Sequence, residues 1–259
     1  MSDTVIHIGP ALAVAVVLLA IIAALVAYVG RTRMEWAIAR ASVRATIQLG
    51  SLALVLGLLV GNLWASAGFV LVMAVIASWT AAGRVTGHRP TLRELGRTLV
   101  PVAAMTIVIV AGLVLVGVLP ASGLAVIPSA GIMIGGAMNT TSLTGRRAAD
   151  ELKVRHGEVE AALSLGFSKY DARMEICRAA ASTALVPAID QTRTVGLVTI
   201  PGAFVGMVLG GASPTDAAIM QLFVLISLLA VCATALVLTT ELVAHGTLFD
   251  VNSRFTAAK

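Results

Sequence analysis

Residues 146–178 read RRAADELKVRHGEVEAALSLGFSKYDARMEICR, and these 33 residues carry 13 of the 31 charged side chains in the chain. The rest of the sequence is oily. The chain of 259 residues is 58% hydrophobic and only 12% charged, with a mean hydropathy of +0.97, whereas a soluble domain carries about 25% charged residues. Too few charges remain to wet a surface, so most of the exterior must face lipid. The stretch 146–178 is then a water-exposed piece of a membrane protein, and the spans lie on either side of it.

A hydrocarbon core about 30 Å thick is crossed by about 20 apolar residues in a helix. Uncharged runs of that order occupy residues 10–29, 45–61, 63–82, 99–119, 124–143 and 217–240. Residues 179–211 are also apolar but are interrupted by Pro187, Asp190, Gln191, Arg193 and Pro201. Counted as one irregular crossing, they bring the total to seven. The runs lack the period-2 alternation of barrel strands, and lipid tolerates only helices or closed barrels. The expected fold is therefore all-α: a polytopic integral membrane protein of about seven transmembrane helices, one of them broken. No linker or internal repeat divides it, so residues 1–259 read as a single domain.

The basic residues orient these spans. Arg31, Arg33, Arg40 and Arg44 fall in the first gap, Arg84, Arg89, Arg93 and Arg97 in the third, and seven more Lys and Arg in 146–178; Arg254 and Lys259 lie in the tail. The intervening gaps, around Asn62, at 120–123 and at 212–216, hold none. Positive charge marks the cytoplasmic side, which puts the N-terminus outside and the C-terminus inside, with an odd number of crossings. The net charge of +5 thus comes from helix ends and implies no nucleic-acid partner. Residues 1–9 carry Asp3 and no Lys or Arg, unlike the start of a cleaved signal peptide. Cys177 and Cys232 are too far apart for metal-ligand spacing and sit in apolar contexts, where a free Cys acts as a small hydrophobe.

Within 146–178 the pattern predicts two short amphipathic helices around a turn. Val159 and Leu163 share one face, and Tyr170, Met174 and Cys177 another. Gly166 suits a left-handed helix end, and Ser168 suits an N-cap with Asp171 three residues on. Such a pair is either a solvated connector on the membrane surface or a docking element. The residues Glu160-Ala161-Ala162, followed by Leu163 and Gly166, resemble the EAA loop of ABC transporter permeases, a short cytoplasmic helix that plugs into a groove on the ATPase.

The likeness extends along the chain: Val126-Ile127-Pro128, Gly135-x-Ala137-Met138, Leu163-Ser164-Leu165-Gly166, Leu185-Val186-Pro187-x-x-Asp190, Thr194-Val195-Gly196, Pro201-Gly202 and Gln221 follow in order, with Arg44-x-x-x-Gln48 upstream. Together they resemble the bacterial iron-export ABC permease family (FetB-like), which includes plant aluminium-tolerance half-transporters. That resemblance implies a permease of the inner (plasma) membrane, paired as a homodimer and working with a separate ABC ATPase subunit that binds ATP and Mg. It implies coupling through Glu160, Ala161, Ala162, Leu163, Gly166, Ser168, Tyr170 and Asp171, and export of iron, another metal ion or a small solute. The chain departs from the family pattern at Gly136, where Asn is expected, and at Ala203-Phe204, where Met-Met is expected; both bear on the cargo if those side chains touch it.

Asp190, Gln191 and Arg193 stand out as charged or polar groups in an apolar stretch. Asp190 and Arg193 are i, i+3 on a helix and can neutralise one another. Three readings stay open: an ion pair locking a broken helix, a pathway lining in which Asp190 attracts a cation and Arg193 tunes its affinity, or an interfacial site where Arg193 snorkels. Asp190 is the candidate metal contact. Pro201 and Gly202, Gln48, Met138 and Gln221 complete the candidate pathway.

The chain has no G-x-x-x-x-G-K-[ST] phosphate loop, so it has no ATP site of that kind and takes no cofactor of its own. His7, His88, His156 and His245 all lie outside the spans, leaving no histidine base at membrane depth, and the chain does not read as an enzyme. The alternative to an ABC permease is an ion-coupled secondary transporter, for which inverted repeats are not apparent.

Overall fold

The computed structural model describes residues 9–59 and 61–248. Asp3, His7, Arg254 and Lys259, which entered the reading of the two termini, lie outside the described residues. Among the described residues the chain is helix and turn, with one isolated bridge between Val195 and Thr199. The molecule is an all-α polytopic membrane protein. Its helices fall into two compact units, Met1–Val60 and Gly61–Lys259.

The first unit is a hairpin of α1 (Pro10–Val29) and α2 (Glu35–Leu59). Pro10 opens α1 at a position where its missing N–H leaves no bond unmade. Arg31 and Arg33 make the turn at positive φ, 52° and 57°, a conformation that few non-glycine residues adopt. The helix α2 begins ten residues before the apolar run. Arg40 and Arg44 consequently lie on its first turns rather than in a loop, as their good helix propensity allows.

The second unit contains α3 (Leu63–Thr86), α4 (Leu92–Leu115), α5 (Gly123–Val154), α6 (His156–Ser164), α7 (Lys169–Ser182), α8 (Val186–Thr194), α9 (Gly202–Leu209) and α10 (Pro214–Ala244). Local signals set several starts. Asn62 accepts from the backbone N–H groups of Trp64 and Ala65, and Thr91 with Glu94 forms a complete capping box on α4. Among the described residues five helices, α1, α3, α4, α5 and α10, are long and apolar enough to cross a membrane. The 25 residues of α2 span about 37 Å at the helical rise.

The long helix α5 is the centre of this unit and packs on α3, α4, α7 and α10. Small side chains make the contacts: Ala74, Ala77 and Ala81 of α3 meet Ala103 of α4 and Ala130 of α5, while Ala137 of α5 meets Val231 and Ala235 of α10. Lipid gives helices no hydrophobic reason to associate, so close backbone approach through small residues supplies the attraction. Two glycines mark the tightest crossings. A Cβ on Gly145 would overlap Val85 of α3, and one on Gly136 would overlap Leu228 of α10 and lie 3.2 Å from Cys232 Sγ.

Sequence expectation placed a boundary near Arg146. The helix α5 instead runs unbroken to Val154, because Ala148, Ala149 and Leu152 remain on its buried face. They form a second core with Val85, Val159, Ala172, Ile176, Cys177, Val243 and Leu248.

Residues 179–211 take an irregular course. A 3₁₀ turn, Thr183–Leu185, joins α7 to α8. Pro187 explains it: with no N–H to donate and a ring that crowds the carbonyl four residues back, it disrupts regular α-helix there. A non-helical turn with Gly196 at φ 80° separates α8 from α9. Tyr170 near the start of α7 bonds Glu241 near the end of α10, and α9 passes through a short turn into the start of α10. The segment from α7 to α9 therefore runs antiparallel to α10.

Candidate functional site

The charged segment builds its geometry from the residues that predicted it. The helix α6 stops at Ser164, and Gly166 takes φ 93°, where a side chain would be strained. The N–H groups of Gly166 and Phe167 donate back to Leu163 and Ala162 at 3.0 and 3.1 Å, satisfying carbonyls left open by the helix end. Ser168 then caps α7: its Oγ accepts from the Asp171 N–H at 3.1 Å and donates to Asp171 Oδ2 at 2.6 Å. The result is a short helix, a tight turn and a second helix of fixed entry angle.

The inner side of this motif is anchored. Val159 is buried in the core at that end of α5 and Ala162 packs against it. Met174 and Cys177 of α7 are buried, and the Tyr170 hydroxyl donates to Glu241 of α10 at 2.9 Å. The outer side is free of such contacts: Glu160, Ala161, Ser164, Gly166 and Ser168 are exposed. Glu160 pairs with His156 at 3.5 Å. Both line a groove of about 220 Å³ with Val159, Leu163, Lys169 and Arg173, so Glu160 and Leu163 lie beside two cations from α7.

The charges of the segment adjust to one another. Arg155 donates to both oxygens of Glu158, from Nε at 2.7 Å and from Nη2 at 2.5 Å. This bond holds the Glu158 carboxyl below the usual carboxylate range and raises the Arg155 guanidinium. The hydrogen bond to Glu241, with burial and its negative charge, raises the Tyr170 hydroxyl, which stays protonated. Burial pushes the Cys177 thiol from its ordinary 9.0 up to about 11.

The end of α10 is held by features that the sequence reading did not single out. Arg97 donates to the carbonyl of Thr247, and Arg173 lies against Gly246. His245 stacks obliquely on Tyr170, with ring centroids 4.6 Å apart, and sits 3.9 Å from Glu241. Cations at a helix C-terminus are favourable. The spacing of Glu241 and His245, i and i+4, was the available signal.

The membrane residues are distributed differently. Asp190 and Arg193 approach to 3.9 Å across one turn of α8, with side chains 57% and 75% exposed. Gln191 is exposed beside them. Pro201 precedes α9 and Gly202 begins it. Met138 packs against the alanine-rich core between α3 and α4. Gln221 is buried in α10, and its side-chain oxygen has no partner among the described residues. Gln48 is exposed on α2 in the other unit. None of Met138, Pro201, Gly202 or Gln221 is hydrogen-bonded to Asp190 or Arg193 among the described residues. No cluster of three His, Cys, Asp or Glu side chains that could hold a metal forms there either.

The long apolar helices define a multi-pass membrane protein, and comparison with known sequences supplies its family. Residues 10–248 match the model of the uncharacterised protein family UPF0014, and the chain belongs to that family. It is similar to the UPF0014 membrane protein STAR2 of Oryza sativa subsp. japonica, 33% identical over 90% of this chain and 80% of the relative. Protein ALUMINUM SENSITIVE 3 of Arabidopsis thaliana is 30% identical over 84% of this chain and 78% of that protein. The probable iron export permease protein FetB of Escherichia coli (strain K12) is 27% identical over 43% of each chain. No solved structure matches the chain.

Proposed function

We propose that this protein is the transmembrane permease subunit of an ATP-driven ABC transporter, exporting a metal ion of the iron class and working with a separate ATPase subunit. The observation that carries the reading is the α6–Gly166–α7 motif: a rigid helical turn, buried on one side against α5 and α10 and exposed on the other. A groove on a soluble ATPase can receive such a turn without displacing the helices behind it. The iron cargo rests on the likeness to the probable iron export permease.

In this reading the protein sits in the plasma (inner) membrane, N-terminus outside and C-terminus in the cytoplasm, as a homodimer with two ATPase subunits. The partner subunits bind ATP and Mg. Closure of the ATPase pair pushes on Glu160, Ala161, Ala162, Leu163 and Gly166, and the movement passes through Ser168, Tyr170 and Asp171 into α7. From α7 it reaches α8, where Asp190 attracts the cation and Arg193 sets how tightly it is held.

The test is co-purification with the ATPase and transport by reconstituted vesicles. The variant Glu160→Lys, on the exposed side of the turn, should lose the ATPase while remaining folded. If binding and transport survive in that variant, the docking assignment is wrong. Asp190→Asn that leaves transport at the wild-type rate removes that residue from the pathway.

A further inference from the structure

The bundle of α4, α5 and α10 holds a polar layer between two apolar cores. Ala137 of α5 meets Val231 and Ala235 of α10 in one core, and Ala148 and Ala149 share the other with Val243. The two helices therefore run side by side in the same direction. Thr141 and Thr144 of α5 and Thr239 of α10 occupy the gap between the cores. Their spacing keeps Thr141 and Thr144 on the face of Ala137 and Ala148, and Thr239 on the face of Ala235 and Val243. All three are fully buried, and all lie within the unit Gly61–Lys259.

Their hydroxyls have no protein partner among the described residues. A serine or threonine inside a helix commonly donates to the carbonyl four residues back. Ser142 on α5 and Thr234 and Thr240 on α10 do so, at 2.7, 2.9 and 2.8 Å. The three orphans are exceptions to that habit, and they share one level. The helix α4 brings a fourth oxygen. Pro101 is buried and has no N–H to give the Arg97 carbonyl. Arg97 reaches Thr247 beyond the end of α10, and Met105 packs on the core of Ala137 and Ala235. Pro101 lies four residues from each on the same face of α4, so it meets the layer between them.

Buried hydroxyls are almost always hydrogen-bonded, to protein or to ordered water. We propose that ordered water fills this layer, bridging the hydroxyls of Thr141, Thr144 and Thr239 and the carbonyl of Arg97. Water suits the set. A buried water uses two to four polar partners, and it can donate to the carbonyl while accepting from a hydroxyl. A cation would use the oxygens only as acceptors and would need a negative charge beside it. Glu241, two residues from Thr239, is turned instead to α7, where Tyr170 donates to it. The consequence is a wet plane inside the bundle. A hydroxyl bonded to water keeps its partner when α10 shifts against α5, as one bonded to a fixed carbonyl would not.

The test uses the full chain purified in detergent. Thr144→Val and Thr239→Val keep the side-chain shape and remove the hydroxyl. With bridging water, each should lower the melting temperature by about 2–4 °C. The triple variant that adds Thr141→Val should lose less than the sum of the single changes, because the water leaves with its partners. Unchanged or higher melting temperatures in the single variants, as for dry hydroxyls relieved of burial, overturn the proposal. Strictly additive losses, which mean separate bonds, overturn it too. The wild-type chain should melt alike in sodium, potassium and choline chloride at equal ionic strength; dependence on sodium or potassium overturns water and assigns the layer to a cation. A crystal structure that resolves buried water should place it within hydrogen-bond distance of at least two of the four oxygens, and a dry layer in such a structure refutes the assignment.

Discussion

Gly136 shows how neighbours add a packing role to a single position. In the sequence it is a departure from an expected Asn, with an apparent bearing on cargo. In the structure it lies against α10, where a Cβ would overlap Leu228 and approach Cys232. Gly136→Asn should therefore lower stability by about 1–3 kcal/mol through overpacking, seen as a lower melting temperature in detergent, before it changes any transport selectivity. Gly166 was legible where Gly136 was not, because a turn requirement is local and a helix crossing is set by a residue far along the chain. Cys177 makes a second residue-scale prediction. Its folded thiol is raised to about 11 from an ordinary 9.0, so its burial contributes stability that is complete below about pH 9 and is lost as pH rises towards 11. In native membranes at neutral pH it should resist maleimide, and it should label once the protein is denatured.

At the scale of elements, the signals that were read correctly are short-range. Ser168 with Asp171 sets the start of α7, and the uncharged runs mark α1, α3, α4 and α10. The extension of α5 to Val154 was not visible, because Arg146, Arg147 and Asp150 look like the end of a span. Only the packing of Ala148, Ala149 and Leu152 on α7 and α10 keeps that stretch helical. The tie between α7 and α10 was equally hidden, since Tyr170 and Glu241 are 71 residues apart. Tyr170→Phe removes this hydrogen bond while keeping the ring against His245. It should cost about 1 kcal/mol of stability and weaken the coupling of ATP hydrolysis to transport more than it weakens ATPase binding. Comparing hydrolysis and uptake rates in vesicles at saturating ATPase checks this.

For the whole molecule, composition and the distribution of Lys and Arg carried most of what the sequence could say: the membrane class and the location of the exposed segment. The separation into two compact units had no counterpart in composition, since α2 and α3 are divided by little more than Asn62. The candidate pathway was the least legible part. Polar residues in apolar runs can be listed from sequence, but Met138 went into an alanine-rich core and Gln221 into a buried helix face, while Asp190 and Arg193 stayed on the surface of the single chain. Orientation is directly checkable. In a chain without native cysteines, Ala212→Cys should react with an impermeant maleimide added to intact cells, and Lys169→Cys only after permeabilisation. The reverse pattern would invert the topology and remove the charged segment from the reach of a cytoplasmic ATPase.

The contrast between α5 and its jointed neighbours has a mechanical consequence. A continuous rod of 32 residues, about 48 Å long, is stiff, whereas the strand of helix from α7 to α9 has a joint at Thr183–Leu185 and another at Gly196. In the transporter proposed above, a load on the α6–α7 turn would swing the rod as a whole while the jointed arm bends at those two points, which lie on either side of Asp190.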